Sequence, residues 1–186
     1  MSDVWNSEQF WWFVSRATGV VAWVALLASM LWGIFSATKF LQTYKRPRWI
    51  NAMHSWLGGL ACVFTAGHIA ALVADSYAYF GWTEILVPMG SAWKPGYVAL
   101  GVVSMWLLAA VQFTSLVRKR IPRSWWKNIH LASYLTFWLA TMHGVLAGTD
   151  ADSTAFRWIT SIGVTALMLT AIYRVLTRRP PRSATA

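Results

Sequence analysis

Residues Ile50 to Ala74 read INAMHSWLGGLACVFTAGHIAALVA, a stretch without Lys, Arg, Asp or Glu whose only ionisable ring groups are His54 and His68. A helix needs about 20 mostly apolar residues to cross a hydrocarbon core of about 30 Å, and this stretch is long enough. Four further windows share its character: Ala17 to Ala37, Gly96 to Val117, Ile129 to Gly148 and Trp158 to Tyr173. Short alternating strands do not recur, which disfavours a transmembrane barrel. The expected fold is therefore an all-α integral membrane protein, a bundle of five transmembrane helices occupying one domain over residues 1–186, with connections too short for a second one.

Composition excludes the main competing classes. With 57% hydrophobic and 12% charged residues and a mean hydropathy of +0.46, neither a water-soluble domain of this size nor a disordered chain is expected. Cys62 is the only cysteine, so no disulfide can form within the chain; it falls mid-span and reads as packing. Asp3 and Glu8 occupy the start, where a cleavable signal would carry positive charge, so the first span is expected to remain.

The formal charge of +10 is mostly topology. Thirteen of sixteen basic residues follow the first, third or fifth span, whereas Arg16, Lys94, Arg157 and all six acids fall on the other side. The positive-inside rule then puts the N-terminus outside and the C-terminus in the cytoplasm. Because the basic residues sit in short juxtamembrane loops, a nucleic-acid partner is not expected. Among the fourteen Trp, Trp5, Trp11, Trp12, Trp49, Trp82, Trp93, Trp125 and Trp126 lie at span ends, where indole rings favour the headgroup level.

The four histidines carry the chemistry. His54 and His68 are fourteen residues apart in the second span, and His130 and His143 thirteen apart in the fourth. Along a helix these separations are about 21 Å and about 19.5 Å. Both spans run from the cytoplasm outward, so His54 matches His130 in depth near the inner side and His68 matches His143 near the outer side. Two such pairs suit two stacked b haems, each held by two imidazoles on facing helices of a bundle. With both axial positions filled, one-electron transfer is the expected chemistry, and without C-x-x-C-H there is no covalent haem attachment.

Helical phase complicates the fourth span. At about 100° per residue, fourteen residues return His68 to about 40° from His54, but thirteen leave His143 about 140° from His130. That span must tilt, distort, or present its ligands to different flanks. Gly58, Gly67 and Gly144 lie beside the histidines in sequence and would let a porphyrin approach, or would serve close helix packing. Arg16 would pair with a propionate of the outer haem or snorkel at its helix end. Arg46, Arg48, Arg123 and Lys127 read as topology before they read as partners of the inner propionates. The loop from Asp75 to Pro95 reads as an interfacial segment that can cap the outer haem, and its acids Asp75 and Glu84 are too few for a defined metal site.

SRATGVVAW at Ser15 to Trp23, the His54 and His68 spacing, SLVRKRI at Ser115 to Ile121, WWKNIHLASY around His130 and MHGVLAGTD around His143 together resemble the ferric reductase-like transmembrane domain family. That family includes ferric reductases, NADPH oxidases and the membrane subunit of the bacterial methionine sulfoxide reductase system; more narrowly, the chain resembles its small stand-alone actinobacterial members. The resemblance implies an oxidoreductase subunit in the bacterial cytoplasmic membrane, passing electrons through two haem b groups to an extracytoplasmic acceptor such as ferric iron, oxygen or a partner protein. Family members take electrons from NAD(P)H through a flavin domain after the last span. Here only a short stretch follows Tyr173 and no G-x-G-x-x-G occurs, so flavin is expected only on a separate flavoprotein, with membrane quinol as the other donor. The alternative is a haem-free scaffold or transporter-like subunit whose histidines handle metal or protons; the absence of intramembrane carboxylates counts against it.

Overall fold

Apolar residues run along every face of the first long segment, and nothing in it breaks a helix: α1 extends from Ser7 to Ala37. In the computed structural model, residues 7–38, 48–75 and 80–177 are described. They form α1, α2 (Arg48–Ala74), α3 (Trp82–Leu86), α4 (Pro95–Leu116), α5 (Arg123–Leu131), α6 (Ser133–Leu146) and α7 (Thr154–Leu176), with no strand among them. Pro95 opens α4 at a position where its missing N–H costs nothing, after Lys94 in the left-handed conformation.

Four of these helices, α1, α2, α4 and α7, are long and apolar enough to cross a bilayer. The chain is a multi-pass membrane protein. The expected fourth span, 129–148, is not one helix: it breaks at Ala132 into α5 and α6. The Ala132 N–H turns back to Ile129 (3.0 Å) while its carbonyl accepts from Thr136 N–H (2.9 Å), so one tight turn joins the two segments without orphaning the backbone. Asp3, Arg46 and the tail beyond 177 lie outside the described residues.

Hydroxyls on the long helices are satisfied locally. The half-buried Thr65 and Thr170 and the buried Thr141 each donate to the carbonyl four residues back, at 2.7 to 2.9 Å, which leaves no unpaired hydroxyl hydrogen at these positions. The core joins Ala25, Leu26, Met30 and Ile34 of α1 to Ala61 of α2, Phe137 of α6 and Leu167 of α7. Phe137 is fully buried and lies against Trp23, ring centroids 5.6 Å apart, while Trp23 Nε1–H donates to Thr141 Oγ1 (2.9 Å). Gly163 seats α7 under Trp23 and Leu27, where an added Cβ would come within 2.7 Å of both side chains.

Packing is uneven. α1 backs α2 and α4 backs α6 along most of their lengths, whereas α2 and α6, the helices that carry three of the histidines, are not among the closely packed pairs. They face each other across a gap, with the core around Ala61 and Phe137 at its middle.

Candidate functional site: two imidazole pairs across the bundle

The structure brings the histidines together in twos. His54 of α2 meets His130 of α5 with ring centroids 5.8 Å apart and planes crossed at 72°; His68 of α2 meets His143 of α6 at 6.4 Å and 80°. The turn at Ala132 lies between His130 and His143. Its i→i−3 bond winds the chain more tightly there, in the sense that the phase of a thirteen-residue spacing demands, and each of the two rings meets its partner on α2.

Each ring is tied at its back to a neighbouring helix. His54 Nδ1 lies 2.9 Å from the Ser29 carbonyl and 3.2 Å from its hydroxyl; His68 Nδ1 lies 2.8 Å from the Ser15 carbonyl and 3.2 Å from its hydroxyl. His143 Nδ1 lies 2.9 Å from the Tyr97 carbonyl. A carbonyl only accepts, so these three imidazoles carry their proton on Nδ1 and keep the lone pair on Nε2. His130 Nδ1 instead reaches the Ser115 hydroxyl at 3.4 Å. A metal-binding imidazole is ordinarily held in this way, its rear nitrogen fixed and its front nitrogen free.

Glycines on the facing helices make the approach possible. A Cβ on Gly19 would sit 3.0 Å from His68 Nδ1, one on Gly33 3.0 Å from His54 Cε1, and one on Gly101 2.7 Å from His143 Nδ1. None of these three stood out in the sequence, although Ser15/Gly19 and Ser29/Gly33 repeat at fourteen residues, the spacing of the histidines opposite. Gly58 instead meets Gln112 and Ser29, Gly67 meets Thr18, and Gly144 lies near Phe156. Of these, Gly144 borders the outer cavity.

That cavity has a volume of about 740 Å³ and a mostly apolar lining that includes His68, His143, Gly19, Gly101, Trp12 and Trp93. Its size falls within the range of about 300 to 1,000 Å³ usual for small-molecule and cofactor sites. Phe80, Glu84 and Ile85 from the loop containing α3 close one side of it, and Glu84 also accepts from the Gly81 N–H (2.9 Å). Arg16 lies at the cavity wall and grips Asp150 with two nitrogens, Nε at 2.8 Å from Oδ2 and Nη2 against Oδ1. Asp75 is buried at the end of α2, and Cys62 is half-buried.

At the inner layer Trp126 stacks on His130, centroids 5.1 Å apart and planes within 26°. Sequence position alone had made Trp126 a headgroup anchor. Arg123 and Lys127 are exposed on α5. Among the described residues, Arg174 of α7 is a cation near this layer whose Nη1 lies 3.4 Å from the hydroxyl of the half-buried Tyr134, one turn beyond His130.

The donor set indicates what kind of metal the arrangement suits. Among the described residues no three His, Cys, Asp or Glu converge on one point, so each layer offers two nitrogens. An imidazole nitrogen sits about 2.0 to 2.1 Å from a bound first-row metal, and two rings sharing one metal therefore have centroids about 6 Å apart. The two observed separations bracket that value. A macrocycle supplying the remaining ligands fits a two-imidazole layer; a bare ion needs more donors.

The family described as "Ferric reductase like transmembrane component" matches residues 18–141. The magnetosome protein MamZ of Paramagnetospirillum magneticum (strain AMB-1) is 26% identical over 152 residues, covering 81% of this chain and 22% of MamZ. The chain thus spans about a fifth of that relative's length. No solved structure matches.

Proposed function

The chain belongs to the ferric reductase-like transmembrane component family, and from that premise we propose that it is a di-haem electron carrier of the bacterial cytoplasmic membrane. In this reading His54 and His130 hold an inner b haem and His68 and His143 an outer one. Bound haem iron supplies reversible one-electron chemistry. The observation that carries the reading is that four imidazoles stand in two facing pairs, three with the rear nitrogen on a backbone carbonyl and the fourth on a hydroxyl.

The remaining parts follow from the same residues. α5 and α6 together complete the set of five crossings: the helical rise summed from Arg123 to Leu146 is about 36 Å, enough for the hydrocarbon core. The N-terminus lies outside and the C-terminus in the cytoplasm, by the distribution of Lys and Arg. Gly19, Gly33 and Gly101 let the imidazoles sit against their backing helices. Arg16, held by Asp150 at the outer cavity, is the group available to an outer propionate, and Arg174 with Tyr134 serves the inner side. Electrons arrive from a separate cytoplasmic flavoprotein or from bilayer quinol and leave for an extracytoplasmic acceptor: ferric iron, oxygen or a partner protein. Outward transfer of an electron from an inside-negative compartment runs with the membrane potential and is favourable by about 2.3 kcal/mol per 100 mV.

Oxidised and dithionite-reduced absorption spectra of the purified protein, with haem per chain quantified, test the proposal. Two low-spin b haems per chain are expected. A colourless protein from haem-replete cells would contradict it and return the histidines to proton or metal handling. Adding quinol without flavoprotein separates the two donors: reduction of the haems identifies quinol, and its failure points to the flavoprotein.

A further inference from the structure

Three of the four imidazoles follow one rule. The accepting carbonyl lies four residues before a glycine: Ser15 before Gly19, Ser29 before Gly33, Tyr97 before Gly101. With no Cβ one turn on, the ring lies flat on the backing helix and reaches the carbonyl below.

The fourth place breaks the rule. Fourteen residues beyond Tyr97 and Gly101 on α4 stand Val111 and Ser115. Ser115 occupies the glycine's position and its hydroxyl takes the carbonyl for itself, at 2.7 Å from Val111 O. His130 Nδ1 and Trp126 Nε1 each lie 3.4 Å from the same Oγ.

A serine hydroxyl has one hydrogen and two lone pairs. The hydrogen goes to the Val111 carbonyl, which can only accept. The indole N–H can only donate, and it uses one lone pair. Toward His130 the oxygen therefore offers its second lone pair and nothing else, so His130 must carry its proton on Nδ1 and leave Nε2 free. The stacked Trp126 ring holds the imidazole plane while this bond fixes its rotation.

We propose that Ser115 is a positioning residue for His130: it sets the tautomer of this ligand and, as a longer and weaker acceptor than a carbonyl, makes His130 the least electron-donating of the four. The proposal rests on the haem reading given above. Its consequence is that the inner haem has a second shell unlike the outer one, and second-shell hydrogen bonding is one of the means by which a protein sets a haem potential.

The test is a redox titration of the two-haem protein followed optically, with low-spin electron paramagnetic resonance spectra, for wild type and for Ser115→Gly, Ser115→Ala and Ser115→Thr. Ser115→Gly uncovers the Val111 carbonyl and restores the common rule; one of the two titration components should move to lower potential while the other stays. Ser115→Ala covers the carbonyl and offers no acceptor, so the same component should move to higher potential and its resonance should shift. Ser115→Thr retains the hydroxyl and should titrate as wild type. Unchanged potentials and spectra in both Ser115→Gly and Ser115→Ala, at full haem content, would overturn the proposal and leave Ser115 as packing. A Ser115→Thr protein as altered as the alanine variant would also overturn it. Wild-type protein without haem would be a failure of the underlying reading and is distinguished from these outcomes at the first spectrum.

Discussion

At the outer layer both imidazoles give their rear proton to backbone carbonyls, of Ser15 and Tyr97, whereas at the inner layer His54 does so and His130 meets a side-chain hydroxyl next to a helix break. The backing helices explain the difference. α1 presents two equivalent Ser-x-x-x-Gly seats, one per layer, and serves α2 identically at both depths. α4 presents a glycine at the outer depth and a serine at the inner one. A single bundle thus holds one symmetric face and one asymmetric face, and the asymmetry falls on the side where electrons are proposed to enter.

The largest expected effect would erase the comparison altogether. Phe137 is fully buried between the layers, against Trp23, and Phe→Ala changes in cores cost about 3 to 5 kcal/mol. Phe137→Ala should lower thermal stability and haem retention at both layers alike, read by melting in detergent and haem per chain. Loss confined to one layer would show that the core does not tie the two together.

Next in size are the glycine seats, which sharpen the comparison. Gly101→Ala forces a Cβ to within 2.7 Å of His143, while Gly19→Ala and Gly33→Ala meet their rings at 3.0 Å. Overpacking of this kind costs about 1 to 3 kcal/mol. Gly101→Ala should lose outer haem by roughly tenfold in affinity, a change of about 1.4 kcal/mol, with the Gly19 and Gly33 variants milder. Equal haem content in all three variants and wild type, measured after dilution, would speak against seating by these glycines.

The smallest effect concerns Arg16. It and Asp150 are about one-third and one-quarter exposed, and such a pair is worth about 1 kcal/mol or less. Arg16→Met should shift the outer component of the redox titration and leave the inner one in place. Movement of both components would place Arg16 in a general electrostatic role.

Much of this was legible in the sequence. Three spans appear within a few residues of their helices because an apolar run bounded by Asp, Lys or Arg leaves little choice, as at Asp75 and Lys94, whereas the first helix continues through Arg16 and starts at Ser7, ten residues before the expected Ala17. Pairing in depth followed from the fourteen and thirteen spacings. The break at Ala132 was harder: LASY contains neither Pro nor Gly, and only the 140° phase error announced a distortion. The seats behind the rings are not legible from glycines near the histidines in sequence, because a side chain projects away from its own backbone and is received by the helix opposite. A search for small residues repeating at fourteen would have found Ser15/Gly19, Ser29/Gly33 and the Gly101/Ser115 pair. Trp126 was unreadable from position alone, since an indole at a span end serves a headgroup and an imidazole equally well.

The central claim is that the two imidazole pairs are two separate haem sites. Haem per chain in His54→Ala and His68→Ala, each beside wild type, tests it most directly. The account predicts two haems in wild type and one in each variant, with a different redox component surviving in each. Loss of the same component in both variants, or retention of two haems in either, would contradict it.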